Sequence, residues 1–593
     1  MHKLRLGLAL LLLTQLAAGI AAAPPRDVDQ FLQHADESLR QKQYAQATAF
    51  FEAVLKEDPN SAEAQAGLAE VAYESRSNYV QAIYRIGLAL RADPDCARAL
   101  MLRATLARGR GSYAEAMQDL NRVIAVHPKA ARAYLLRAKV NAAQQLYGET
   151  VNDLSIYQKL QPKDAEGYRL RGQALIQVDR TEDALNDLTS AIRLNDRDVD
   201  SLLDRARVYE GLDRDQEAVA DYTRALKLNP EQTSIYQKRG ERYLNMAQYA
   251  ECIADFDRFL KFHPQSGQVL PKRGRAHLAL RNWESALADF RLALRDAPNN
   301  GEVLLYEGRA LVGLTRYEEA LSSFGRVISH EPSSEYRYPA YMERSHLLER
   351  LDRNNDALAD LDQVIVEFPG EYGGYFRRGL ILLRLQRLPE AEKALNQAIQ
   401  IAPLEPSGFI SRANLYRAQG RADDALKDLN KAVALAPDYT HAYTQRASYF
   451  VSKERWEQAK ADYLKVTTLP VRSDGETTRG YARILVTFMD RKFAEGLATC
   501  EDLAAKNGQD HAWLYDLACA LAIGAEVAGK TEGKAAGGFH TRLKQRSLDL
   551  LEQAVAQGYT EYYHIRQDMD LTCLHGEARF QAIAKAKLKD TGN

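Results

Sequence analysis

Residues 267–300 read GQVLPKRGRAHLALRNWESALADFRLALRDAPNN. With Gly267 as slot 1, Leu270, Gly274 and His277 fall at slots 4, 8 and 11, and Ala286, Phe290 and Ala293 at slots 20, 24 and 27. Both sets recur at i, i+3 or i+4 and i+7, the spacing of one helix face, so the stretch holds two amphipathic helices. Pro298, at slot 32, has no amide hydrogen and cannot continue the second helix. Arg273 and Asp289 stand at slots 7 and 23, one on each helix. Such a charged pair among apolar neighbours is either a site or a frame, and the rest of the chain decides which.

The pattern recurs. Pro128, Pro162, Pro230, Pro264, Pro298, Pro332, Pro369, Pro403 and Pro437 are spaced by 34 residues or twice 34, except for a gap of 37 before Pro369. Slot 8 is small throughout: Ala104, Ala138, Gly172, Ala206, Gly240, Gly274, Gly308, Gly379, Ala413 and Ala447. Slot 20 is likewise small, mostly alanine, as at Ala116, Ala184, Ala286 and Ala425, so the two backbones can approach closely. Slot 17 is often aromatic (Tyr113, Tyr147, Tyr249, Trp283, Tyr317, Trp456) and marks the turn. Pro389 falls where a second helix begins, a position that tolerates proline. A period of this length predicts an array of stacked units.

The 34-residue helix-turn-helix unit, with small residues at slots 8 and 20 and proline at slot 32, resembles the tetratricopeptide repeat. About thirteen units run in phase from Val28 to Pro470. The resemblance implies an all-α, right-handed α-solenoid (superhelix) in which each first helix lines a concave groove. It also implies a non-catalytic scaffold for protein–protein interaction. Two segments depart from the pattern: LNDRDV (194–199) replaces one proline region, and SSEYRYPAY (333–341) carries three extra residues that are expected to loosen the stack.

In most such repeats slot 7 is aliphatic. Here it is arginine in ten of eleven consecutive units: Arg103, Arg137, Arg171, Arg205, Arg239, Arg273, Arg344, Arg378, Arg412 and Arg446. Slot 23 is aspartate in nine: Asp119, Asp153, Asp187, Asp221, Asp255, Asp289, Asp360, Asp428 and Asp462. Where the arginine is missing, Glu307 faces Ser323, so both partners change together; only Arg378 stands opposite an apolar residue, Ala394. Pairing each arginine with slot 23 of the preceding unit fits worse, because Arg103 would then face Arg85. An unpartnered buried arginine is costly, so these residues predict an ion pair between the two helices of one unit. Ten copies make a frame rather than a catalytic site.

Slots 5, 9 and 12 form a line beside the core stripe of the first helix, and the resemblance implies that this line faces the groove. Its apolar members are Met101, Leu135, Leu203, Leu305, Met342, Phe376 and Ile410, its basic members Arg108, Lys139, Arg169, Arg207, Arg275, Arg309 and Arg417, and its fewer acidic members Glu210, Glu241 and Glu349. An apolar strip with a broken row of cations suits an acidic, extended protein or peptide partner. The Lys and Asn slots of the family's carboxylate clamp are not matched, since Asn414 is accompanied by Ile410.

The 593 residues exceed one ordinary core, and 79 basic against 80 acidic residues give no nucleic-acid-binding excess. MHKLRLGLALLLLTQLAAGIAAAPP has the basic start, apolar run and small residues of a secretory signal peptide, with the cut after Ala21 or Ala22. Its removal leaves 77 basic residues against the same acids. The sequence thus predicts a signal peptide at 1–22, an array at 23–470 and a degenerate end at 471–593, in an exported, periplasmic or secreted bacterial protein with no stable membrane insertion. Cys96, Cys252, Cys500, Cys519 and Cys573 have no metal spacing; Cys252 falls on a packing slot, and a Cys500–Cys519 or Cys519–Cys573 bridge stays open. No cofactor, metal or catalytic residue is implied.

After Pro470 the beat fails. VRSDGETTRG (471–480) reads as a polar linker, and YARILVTFMDRKFAEGLATCEDLA (481–504) as a degenerate unit. WLYDLACALAI (513–523) and RSLDLLEQAVAQGY (546–559) read as two helices split by an insert, and the segment from Tyr562 to Ile583 as a closing cap. The insert begins with GAEVAGKT, Gly524–Thr531, formally a phosphate-binding loop that includes Lys530. It follows a repeat helix instead of a strand and precedes the Gly-rich EGKAAGGFH, read as a loop, so nucleotide binding or hydrolysis there is the alternative reading. A purely structural spacer of the cell envelope is a third.

Overall fold

The computed structural model describes residues 28–75, 78–469, 475–506, 508–531, 534–559, 565 and 568–585. The signal-peptide stretch 1–22 lies outside them. Among the described residues the regular elements are all helical, and consecutive helices pack as antiparallel pairs. The chain divides into two compact units, one ending at Asp296 and the other beginning at Ala297.

Within each unit the hairpin repeats. Ala97–Gly109 and Tyr113–Val126 are one pair, and Val199–Gly211 and Asp215–Leu228 another. The contact that brings the helices together is slot 8 against slot 24. A Cβ on Gly274 would lie 2.6 Å from the Phe290 ring, and Gly240 and Gly308 stand in the same relation to Phe256 and Phe324. All three phenylalanines are fully buried. Where slot 24 is the smaller Leu120, Leu154 or Leu429, slot 8 is alanine: the interface keeps its volume by trading one side chain against the other. Four units depart from this trade: Gly172 and Gly379 face Leu188 and Leu395, and Ala206 and Ala447 stand opposite the larger Tyr222 and Tyr463.

The turn between paired helices requires a left-handed residue at slot 15. Gly111 and Gly420 supply it at no cost. Elsewhere non-glycine residues hold it, among them Asp179, Asp213, Ala247, Asp352 and, at φ 59°, the β-branched Thr315. For a β-branched residue that conformation is a genuine outlier.

Several expectations are corrected. The extra residues of SSEYRYPAY do not loosen the chain: they lengthen a first helix to Ser334–Arg350, capped by Ser333 and pinned by an Arg337–Glu367 ion pair at 2.7 Å. The second half of the linker is helical, because Gly475–Met489 begins inside it. The insert is also helical. His511–Gly529 and Lys534–Ala556 are long partners whose ends absorb GAEVAG and much of the Gly-rich stretch. At Gly524, which is buried against the Phe488 ring, packing outweighs the weak helix propensity of glycine. His511–Gly529 has the length and apolarity of a membrane span, and 78% of its apolar window is buried by the protein itself. All five cysteines are free thiols, so neither candidate bridge is formed.

Two substitutions test this packing. Gly274→Ala is expected to lower the melting temperature, because overpacking costs about 1–3 kcal/mol and exceeds the gain of about 1 kcal/mol in helix propensity. Adding Phe290→Leu should restore it by recreating the Ala104–Leu120 pairing. Thr315→Gly should raise the melting temperature by removing about 1 kcal/mol of backbone strain.

Candidate functional site

The slot 7 arginines form forked ion pairs. In Arg273, Nε donates to Asp289 Oδ2 at 2.9 Å and Nη2 to Oδ1 at 2.6 Å. The same two bonds join Arg103 to Asp119, Arg137 to Asp153, Arg171 to Asp187, Arg205 to Asp221, Arg239 to Asp255, Arg344 to Asp360, Arg412 to Asp428 and Arg446 to Asp462. The aspartates are buried. The hydrogen bond to Asp289 holds the Arg273 guanidinium above its ordinary range against the opposing effect of burial. In the variant unit, Ser323 Oγ donates to Glu307 Oε2 at 2.9 Å.

Seven of the nine forks also reach backwards, which sequence reasoning missed. The remaining nitrogen, Nη1, donates to the residue sixteen positions earlier, on the second helix of the preceding hairpin. Arg137 reaches Asn121, Arg171 Ser155, Arg205 Thr189, Arg239 Thr223, Arg273 Asp257, Arg412 Asn396 and Arg446 Asn430. Arg378, which faces Ala394, bonds through Nε to Asp362 at 2.7 Å by the same backward step. Arg103 has Gly87 at that position, and its side chain is 48% exposed against 16% for Arg205. The available signal was a short polar residue recurring at slot 25. Aromatic rings add to the seating, with Arg446 over Tyr443 and Phe450 and Arg412 over Phe409 and Tyr416.

The line read as a groove is charged, and much of that charge is satisfied within the chain. Lys139 meets Glu166 at 2.8 Å, Arg169 meets Asp198 at 3.9 Å, Arg207 meets Asp204 at 3.1 Å and Arg309 meets Glu343 at 2.6 Å. Arg275 is half-buried, and Phe376 stacks on Tyr372 with ring centroids 5.0 Å apart. Arg417 is not a groove cation open to a partner. It is half-buried, contacts Asn414 at 3.4 Å, and lies within the attraction of Asp570 and Asp568, although burial pushes its pKa down.

Those two aspartates belong to a feature that the sequence did not reveal. The 3₁₀ turn Met569–Leu574 is opened by Asp568, which accepts from the Asp570 amide. Tyr515 OH donates to Asp568 Oδ2 at 2.6 Å. Ser448 Oγ donates to Asp570 Oδ1 at 2.9 Å and Tyr481 OH to Oδ2 at 3.2 Å. Ser448, Tyr481 and Tyr515 lie on Thr440–Ser452, Gly475–Met489 and His511–Gly529, the first helices of the last three hairpins. Leu571 and Leu574 anchor the turn, both fully buried. The chain thus lays its own acidic turn across its first-helix faces.

The GAEVAGKT segment is the reverse of a phosphate loop. Gly524–Gly529 lie in the last turns of a helix and Lys530 is its C-cap, so the nearby backbone end is one of carbonyls. A phosphate cradle needs amides at a helix N-terminus. Lys530 Nζ is instead 2.8 Å from Glu454 Oε1.

Two outcomes check these geometries. Asp255→Leu leaves Arg239 without its carboxylate and should cost about 3 kcal/mol, while the double variant Arg239→Met/Asp255→Leu should recover much of it in a urea melt. Burial, with the charge of Asp568, raises Asp570 from 3.8 to about 7. The contribution of Asp570 to docking the turn is therefore full below about pH 4 and is lost as pH rises through about 7. Hydrogen exchange of residues 568–574, corrected for intrinsic rate, should show less protection at pH 8 than at pH 6, and Asp570→Asn should flatten the difference.

Comparison with known proteins agrees with this geometry. A search of curated proteins finds no match. Among solved structures, a tetratricopeptide repeat protein from Parabacteroides merdae is 21% identical, with 40% of this chain and 93% of that one covered at a TM-score of 0.32. MamA from Desulfovibrio magneticus is 21% identical, with 29% and 96% covered at 0.27. YrrB, described as a tetratricopeptide protein with an unusual peptide-binding site, is 17% identical, with 31% and 94% covered at 0.29. Family models described as tetratricopeptide repeat match residues 38–106 and, in a second form, 169–233, 238–301, 342–406 and 410–469. The chain belongs to the tetratricopeptide repeat family.

Proposed function

We propose that the chain is a non-catalytic interaction scaffold, exported from the cytoplasm, that holds an extended peptide or protein partner along its first-helix face. The family typically mediates protein–protein interaction. The observation that carries the reading is the turn Met569–Leu574, a short acidic segment held by hydroxyl donors from three successive first helices. A segment of another chain with similar chemistry can be gripped in the same way.

Within this reading, apolar contact supplies affinity and charge supplies register. Met101, Leu135, Leu203, Met342 and Phe376 are half-buried and offer part of their surface, whereas Leu305 and Ile410 are buried and interrupt the strip. A carboxylate arriving at Lys139, Arg169, Arg207 or Arg309 exchanges with Glu166, Asp198, Asp204 or Glu343, and exchange between comparable carboxylates gains little net energy. Acidic partners are therefore selected by position more than by total charge. Nucleotide chemistry at Lys530 has the helix polarity against it.

Peptide display against the full chain is the test. Enriched sequences are expected to lose at least tenfold in affinity when Phe376→Ser and Arg309→Glu are combined in a variant with an unchanged melting temperature. A matched outer-face change, Tyr84→Ser, should have no effect. The opposite result moves binding to the outer face, and the absence of any enriched sequence supports the spacer role. Export predicts a mature product beginning at Ala22 or Ala23, read by mass spectrometry.

A further inference from the structure

A cavity of about 680 Å³ opens in the second compact unit between the last regular hairpin and the long closing helices. Its wall is built by Ser448 and Trp456 from one side, Glu526 and Lys530 from the end of His511–Gly529, His540 from the following helix and Asp570 from the acidic turn. Its size is that of a small-molecule or side-chain site.

The charge inside is lopsided. Of the lining groups, Glu454, Glu526 and Asp570 are acids and Lys530 is the lysine. Its ammonium lies 2.8 Å from Glu454, which neutralises that pair and leaves Glu526 and Asp570 as the remaining acids of the lining. Backbone polarity adds the same sign. Ala528, Gly529 and Lys530 bring the carbonyl end of a 19-residue helix to the wall, with the partial negative charge of a helix C-terminus. His540 Nδ1 is 2.8 Å from the carbonyl oxygen of Ala525 and so donates its hydrogen there. Cys573 is pushed up to about 12 by burial and stays a thiol. Trp456 is half-exposed and presents an indole to the same space. Carboxylates, helix carbonyls and an aromatic face all attract a cation and repel a phosphate.

We propose that this cavity binds an alkylammonium group, with Glu526 and Asp570 as the counter-charges and Trp456 as the aromatic wall. Burial raises the pKa of Glu526 and Asp570, and a bound ammonium adds positive charge that favours their ionised forms. The ammonium can come from a free amine or from a lysine side chain of a partner. This site is separate from the groove reading and stands or falls without it.

Calorimetric titration of the full chain with cadaverine, Nα-acetyl-lysine methylamide, the neutral Nα-acetyl-norleucine methylamide and an ATP analogue decides the matter. Saturable one-to-one binding is expected for at least one of the two ammonium probes, and none for norleucine. The tighter of the two identifies the source as a free amine or a peptide side chain. Glu526→Gln should weaken binding at least tenfold and Trp456→Leu several-fold. Glu526→Gln keeps the side-chain shape and removes a charge that burial disfavours, so its melting temperature should not fall. Equal binding of the norleucine probe, affinity unchanged in Glu526→Gln, failure of both ammonium probes, or ATP-analogue binding lost in Lys530→Ala would each overturn the proposal.

Discussion

A carboxylate whose residue is only 4% exposed, as at Asp221, Asp255 and Asp289, has to be answered by a cation, and here one slot of each hairpin answers it. Leaving either partner alone would cost several kcal/mol, so the two positions are bound to each other along the array. The fork geometry adds direction, since two parallel N–H donors fit a carboxylate in one orientation only. That fixes the axial offset between paired helices, and with it the contact of slot 8 on slot 24. Arg273 on Asp289 and Gly274 under Phe290 are neighbouring consequences of one register.

The pairing and the hairpins were legible because they are local and repeated: sixteen residues separate Arg273 from Asp289, and the same offset recurs along the chain. What escaped reading was either chemically varied or distant. Slot 25 is Asn121, Ser155, Thr189 or Asp257, all ordinary on a solvated face, and only the guanidinium above them gives them a common task. Ser448 and Asp570 are 122 residues apart, and no local pattern announces their bond. The Gly-rich stretch before Phe539 reads as a loop by propensity, yet most of it is taken up in the first turns of the long helix Lys534–Ala556. The groove line was found as a line, but which carboxylate lies within reach of each cation is set by how consecutive hairpins stack.

The far end of the chain uses the same first-helix face differently. In the ordinary units that face carries cations matched by nearby acids. In the last three hairpins it carries Ser448, Tyr481 and Tyr515, neutral donors that accommodate two aspartates. The acidic turn helps close one side of the cavity beside Trp456, so Asp570 belongs both to the docked segment and to the cavity wall. Here that face is covered by a segment of the same chain, which also lines the pocket.

Because the third nitrogen of most forks is spent on the preceding hairpin, no repeat in such a run owns its arginine outright. Melting one hairpin strips an acceptor from its successor, so a boundary between folded and unfolded stretches is disfavoured wherever it falls. In the terms of a linear chain of coupled spins, the nearest-neighbour coupling grows relative to the field on each site. Long blocks then switch together, and the run from Arg137 to Arg273 behaves less as beads on a string than as a single cooperative segment.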